Sequence, residues 1–125
     1  MPADDGADRR RLTVHLDIET SETGSEASMA LAGRFDAHEA DSVLSGLNRL
    51  LDNGARIVGL DLQEVEFIDS TGLAVLTRVM KRARELGGDL VLVAPSTPVR
   101  VILELTALDR AFIIRDSAPG VPLDR

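Results

Sequence analysis

The chain has no cysteine, no tryptophan and no tyrosine, and only 3 phenylalanines among its 125 residues. Without cysteine it can form no disulfide, no thiolate metal site and no thiol nucleophile. With so few rings, its core must be aliphatic, built from Leu, Val, Ile and Ala. Histidine is nearly absent too. His15 and His38 stand far apart, and neither a His-Glu-x-x-His pattern nor an EF-hand loop occurs. Positive charge is scarce: 14 Lys and Arg against 21 Asp and Glu leave a net charge of −7. Such a chain suits neither nucleic acid, which needs a basic face and stacking rings, nor an anionic membrane surface. No apolar run approaches the ~18 residues that would span a bilayer. The first residues, Met1 to Asp8, are acidic, unlike a signal peptide. These absences lead to the expectation of a soluble, cytoplasmic protein without metal or other cofactor.

What remains is enough for one globular domain, with 44% apolar residues. Residues 1–10 read as a disordered tail, 11–116 as the folded unit, and 117–125, rich in Pro and Gly, as a C-terminal tail. The basic triplet Arg9-Arg10-Arg11 reads as the solvated start of a strand.

Leu12 to Glu19 alternates strictly, with Leu12, Val14, Leu16 and Ile18 on one side and Thr13, His15, Asp17 and Glu19 on the other. This predicts a half-buried strand with a wet face. Thr20 to Glu26 reads as a turn, and Ala27 to Ala32 as the second strand of an antiparallel hairpin. Asp36, with Glu39 three residues later, predicts a capped helix start. The helix that follows carries Ala40, Val43, Leu44, Leu47, Leu50 and Leu51 on one face, and Asn53-Gly54 stops it. Ile57 to Leu62 is the continuous apolar run of a strand covered on both faces. A second helix is expected from Ser70 or Thr71 to about Leu86, with Leu73, Leu76, Val79, Met80 and Ala83 inward. Gly87-Gly88 ends it. Asp89 to Ala94 reads as another buried strand. Thr97 and Pro98 open a third helix with Val101, Ile102 and Leu105 inward, and Phe112 to Arg115 is a last strand. The order β-β-α-β-α-β-α-β predicts an α/β fold: a small mixed, mostly parallel sheet with right-handed crossover helices.

Catalysis fails on inventory. Ser70 lies in no Gly-x-Ser-x-Gly elbow, and no Gly-x-x-x-x-Gly-Lys-Ser/Thr phosphate loop exists. An aspartate-phosphorylated receiver is a poor match as well: Asp61 sits inside its strand, and the acidic pair and lysine such a domain needs are missing. The chain is therefore expected not to be an enzyme. Attention falls on Phe67-Ile68-Asp69-Ser70-Thr71-Gly72-Leu73, where a strand turns into a helix. One of its hydroxyls reads as a helix cap. Gly72, being small, would let a partner approach closely.

These residues resemble a family. Phe67-Ile-Asp-Ser-Thr-Gly-Leu-Ala74, after the strand from Ile57, is similar to the signature of the STAS domain, and more narrowly to that of bacterial anti-sigma factor antagonists. Gly33-x-Phe35-Asp36, the Gly87-Gly88 break and Ser96-Thr-Pro-Val-Arg100 match as well, so the resemblance covers about residues 12–115. It implies a binding switch. The unphosphorylated protein would hold an anti-sigma factor, a serine kinase, and so free a sigma factor. Phosphorylation of Ser70 by that kinase would end the complex, and a metal-dependent serine phosphatase would restore it. Asp36 and Asp69 would orient the loop or contact the kinase, with Thr71 and Gly72 completing the partner-binding site. Arg34 departs from the family, standing where many relatives carry an acidic or polar residue. The other roles the resemblance allows are a scaffold or constitutive binding module in a larger signalling complex, or a nucleotide- or small-molecule-binding STAS domain.

Overall fold

The structure is a computed structural model that describes residues 16–116. The expected tails at 1–10 and 117–125, and the start of the first strand with Leu12, Val14 and His15, lie outside those residues. Five strands form one sheet in the order β1-β2-β3-β4-β5. β1 (Asp17–Thr23) runs antiparallel to β2 (Glu26–Phe35), and β2, β3 (Ile57–Ile68), β4 (Asp89–Val93) and β5 (Ile113–Arg115) are mutually parallel. Helices α1 (Ala40–Asp52), α2 (Ser70–Glu85) and α3 (Thr97–Leu105) make the connections. This is the α/β architecture that the element order predicts.

The alternation of apolar residues explains the packing. Met29, Leu60 and Leu92 stand side by side in register on β2, β3 and β4 and are fully buried. The Met29 Cε lies close against Gly46 of α1. The inward residues Val43, Leu47, Leu50 and Leu51 of α1 and Leu73, Leu76, Val79 and Ala83 of α2 join the same aliphatic core. Burying each of these Leu and Val side chains contributes about 1.5–3 kcal/mol. Gly88 fixes the end of α2 to the start of β3. A Cβ there would stand 1.7 Å from the Arg56 carbonyl oxygen, which accepts the Asp89 N–H at 2.9 Å.

Four local expectations need correction. The hairpin turn is tighter than Thr20 to Glu26, because β1 runs to Thr23 and β2 starts at Glu26. Of the inward side expected of the first strand, Leu16 is buried as expected, but Ile18 is exposed, at 36%, as is every residue of the edge strand β1. Asp36 is not the cap of α1. It closes a turn of its own, its Oδ1 accepting the His38 N–H at 3.1 Å and its carbonyl the Glu39 N–H at 3.0 Å, so the helix begins only at Ala40. In α3 the inward residues are Val99 and Leu103, whereas Val101 and Leu105 are 46% and 76% exposed.

β3 departs from simple alternation. Its pairing with β2 slips between Ala30 and Ala32 and again between Gly33 and Arg34, each time with one extra residue on β3. After Val58, Leu60 and Leu62, the inward residues are Val65 and Ile68. The first slip is braced by the Asp61 Oδ1, which accepts the Gln63 N–H at 2.9 Å. β3 continues past the end of β4, where Ser96 supplies the missing donors. Its N–H reaches the Leu62 carbonyl at 3.2 Å and its hydroxyl the Val65 carbonyl at 2.6 Å.

Candidate functional site

The ends of β2 and β3 meet where Phe35 pairs with Ile68 in register. From there one chain turns into α1 and the other into α2. The two turns are joined by a single carboxylate. Asp69 is the N-cap of α2, its Oδ1 accepting the Gly72 N–H at 2.9 Å. Its Oδ2 accepts the Ala37 N–H at 3.0 Å, 32 residues away in sequence. The Asp69 N–H in turn donates to the Phe35 carbonyl at 3.4 Å. Capping alone is typically worth about 1 kcal/mol.

This settles the fate of the two hydroxyls. The cap of α2 is Asp69, so neither Ser70 nor Thr71 performs the capping expected of one of them. Both are exposed, and neither hydroxyl has a hydrogen-bond partner among the described residues. Ser70 occupies the first position of α2, where free backbone N–H groups and the helix dipole favour negative charge.

Gly72 is buried, and its smallness is used inside the molecule. A Cβ would stand 2.8 Å from the Phe35 carbonyl oxygen and 2.9 Å from the Ile68 Cγ1. The space that the sequence suggests for a partner is already filled by β2. Gly72 thus acts on the site from beneath, by letting α2 start hard against the end of β2.

Asp36 lies at the same end of the sheet, and Arg34 reaches toward it with its Nε 3.7 Å from the Asp36 Oδ2. The Arg34 guanidinium carbon also sits 4.1 Å from the centroid of the Phe67 ring, a cation–π contact between register partners of β2 and β3. Phe67 is 37% exposed. Sequence reasoning missed this stack, because β3 must slip relative to β2 before residues 34 and 67 become partners. It also missed the backbone groups of Phe35 and Ala37, which carry no side-chain signal. Among the described residues no group of three or more His, Asp or Glu side chains is arranged to hold a metal. No helix there is long and apolar enough to cross a membrane.

Residues 17–119 match the sequence profile of the STAS domain family. BtrV of Bordetella bronchiseptica, named as an anti-sigma factor antagonist, is 32% identical over 87 residues, covering 70% of this chain and 75% of that protein. The anti-sigma-B factor antagonist of Listeria monocytogenes is 29% identical over 104 residues, 82% of this chain and 91% of its own. Among solved structures, the anti-sigma factor antagonist SpoIIAA in its unphosphorylated form superposes with a TM-score of 0.70 at 17% identity, covering 84% of this chain and 90% of that one. Its phosphorylated form, from Bacillus, gives 0.64 at 16% identity, covering 84% and 93%.

Proposed function

The chain belongs to the STAS domain family, and from that membership we propose that it is an anti-sigma factor antagonist whose binding is switched at Ser70. The observation that carries this reading is the division of labour at the start of α2. Asp69 caps the helix and ties the two turns together, which leaves the Ser70 hydroxyl exposed and without a structural task.

In the unphosphorylated state the surface around Asp36, Asp69, Ser70 and Thr71 binds an anti-sigma factor that is also a serine kinase, and so frees a sigma factor. The kinase ends its own complex. The Ser70 Oγ attacks the γ-phosphorus of ATP, the bond to ADP breaks, and the hydroxyl proton passes to a base of the kinase. A serine phosphatase restores the hydroxyl by hydrolysis. The phosphate brings about −1.5 to −2 charges. At the first position of α2 these are locally favourable, so the domain stays folded. The complex is lost through bulk, desolvation and repulsion at the interface. A 100-fold loss of affinity requires only about 2.7 kcal/mol.

The nucleotide-binding alternative draws no support from the cavity of about 220 Å³ beside β1. Asp17, Glu19, Asp61 and Glu64 line it, and four carboxylates are a poor complement to phosphate groups. Incubation with the cognate kinase and ATP, followed by mass spectrometry, tests the main reading. Phosphate is expected on Ser70, and its absence from residues 69–72 overturns the proposal.

A further inference from the structure

We propose that Arg34 is the residue that receives the phosphate on Ser70, and that in doing so it leaves Asp36 and uncovers Phe67. This rests on the reading of Ser70 as the phosphoacceptor and adds what happens to the surface once the phosphate is there.

Arg34 is weakly held. Its Nε stands 3.7 Å from the Asp36 Oδ2, well beyond the ~2.7–2.9 Å of a charge-assisted hydrogen bond. Its guanidinium makes no hydrogen bond among the described residues, and the side chain is 42% exposed. What keeps it in place is mainly the face of Phe67, a contact of about 0.5–1 kcal/mol at an exposed site.

A short chain of contacts links Arg34 to Ser70. Arg34 pairs with Phe67, three residues before Ser70. Asp36, beside the guanidinium, adjoins Ala37, whose N–H is bound by Asp69, and Asp69 adjoins Ser70. The turn that carries Arg34 and the turn that carries Ser70 are thus fastened to each other.

The local charge makes the exchange favourable. The ionisable groups of the two turns and the strand ends leading into them are Arg34, Asp36, His38 and Glu39 on one side and Glu66 and Asp69 on the other. Arg34 is the permanent cation among them. The first arginine of α2 is Arg78, more than two turns along the helix. Arg100 donates to the Pro95 carbonyl at 3.1 Å and faces Asp116, and Arg115 lies on β5, at the opposite edge of the sheet from β1. A dianionic phosphate with three acceptor oxygens competes better for the guanidinium fork than one distant carboxylate oxygen. Phenylalanine and arginine are both enriched at protein interfaces. Moving Arg34 off Phe67 therefore alters two partner-facing groups at once, besides adding charge.

The test uses the full chain with phosphoserine incorporated at position 70 during translation, so that no kinase is needed. The second ionisation of the phosphate is followed by phosphorus NMR, and the Arg34 Nε–H by nitrogen-edited NMR. A cation bound to the phosphate favours the dianion. The midpoint should therefore lie about 0.5–1 pH unit lower in the parent than in Arg34→Gln, with Arg34→Lys recovering part of the difference, and the Arg34 Nε–H signal should shift on phosphorylation. Equal midpoints in the parent and Arg34→Gln, or an unmoved Arg34 signal, overturn the proposal. Should Arg34→Gln fail to fold, the Arg34 signal and Arg34→Lys decide it. A kinase that leaves Ser70 unmodified counts against the phosphoacceptor reading and does not alter this titration.

Discussion

Asp69 holds Ala37: the carboxylate that caps α2 through Oδ1 accepts the Ala37 N–H through Oδ2 at 3.0 Å. One side chain therefore sets both the start of a helix and the position of a turn 32 residues earlier in the chain. Asp69→Ala removes the cap and the tie together. The expected loss is about 1.5–2.5 kcal/mol of unfolding free energy. Asp69→Asn keeps one carbonyl oxygen and should lose less. Urea denaturation of the two variants checks the order.

Ser70→Ala should leave stability within about 0.5 kcal/mol of the parent, because the hydroxyl does no structural work and surface changes of this kind are nearly neutral. Ser70→Asp should be neutral or slightly stabilising, by up to about 1 kcal/mol at low salt, through the helix dipole. The same Ser70→Asp protein should bind the anti-sigma factor at least tenfold more weakly in a calorimetric titration. A Ser70→Asp protein that unfolds would contradict a switch acting through the surface alone.

Gly72→Ala places a methyl group 2.8 Å from the Phe35 carbonyl oxygen and 2.9 Å from the Ile68 Cγ1. Forcing the end of β2 away from α2 should cost about 1–3 kcal/mol, offset by less than about 1 kcal/mol of gained helix propensity. Thermal unfolding should report the net loss, and amide shifts at Phe35 and Ala37 should show that the strain reaches the neighbouring turn.

In α3, Leu103→Ala should cost about 2–5 kcal/mol, whereas Leu105→Ser, at a site 76% exposed, should change stability by less than about 0.5 kcal/mol. Denaturation midpoints of the pair separate the two faces of the helix.

That last contrast also shows where sequence reasoning stops. The element order and the full stripe of α2 follow from periodicity, because a 16-residue helix gives its pattern several turns to repeat. In the 9 residues of α3, two overlapping sets, Val101-Ile102-Leu105 and Val99-Ile102-Leu103, both fit a helical face. The choice between them is made by how the Pro95–Ser96 turn, bonded to β3, delivers the helix to the core. Asp36-x-x-Glu39 has the spacing of a capping box, but the Asp36 side chain is engaged by its own turn. At α2 an aspartate and two hydroxyls compete for one cap. Their propensities are too similar to rank, and only the position of Asp69 just outside the helix assigns the role. The choice of Ser70 came from family resemblance. That its hydroxyl is spare came from geometry.

The two surplus residues of β3 bear on how this protein can vary. Each slip adds a residue to β3 while Ala32, Gly33, Arg34 and Phe35 keep their places opposite Glu64, Val65, Phe67 and Ile68. Removing Gln63 or Glu66 would restore plain alternation without turning any inward side chain outward. Backbone length is therefore negotiable at these two points of a central strand, where a deletion would ordinarily be ruinous. Bulges increase local twist, so shortening β3 would relax the coil of its last turn and re-aim Asp69 and Ser70 relative to α1. A β3 shortened at either point would keep the same core and yet present Asp69 and Ser70 at another angle, without any substitution of a surface residue.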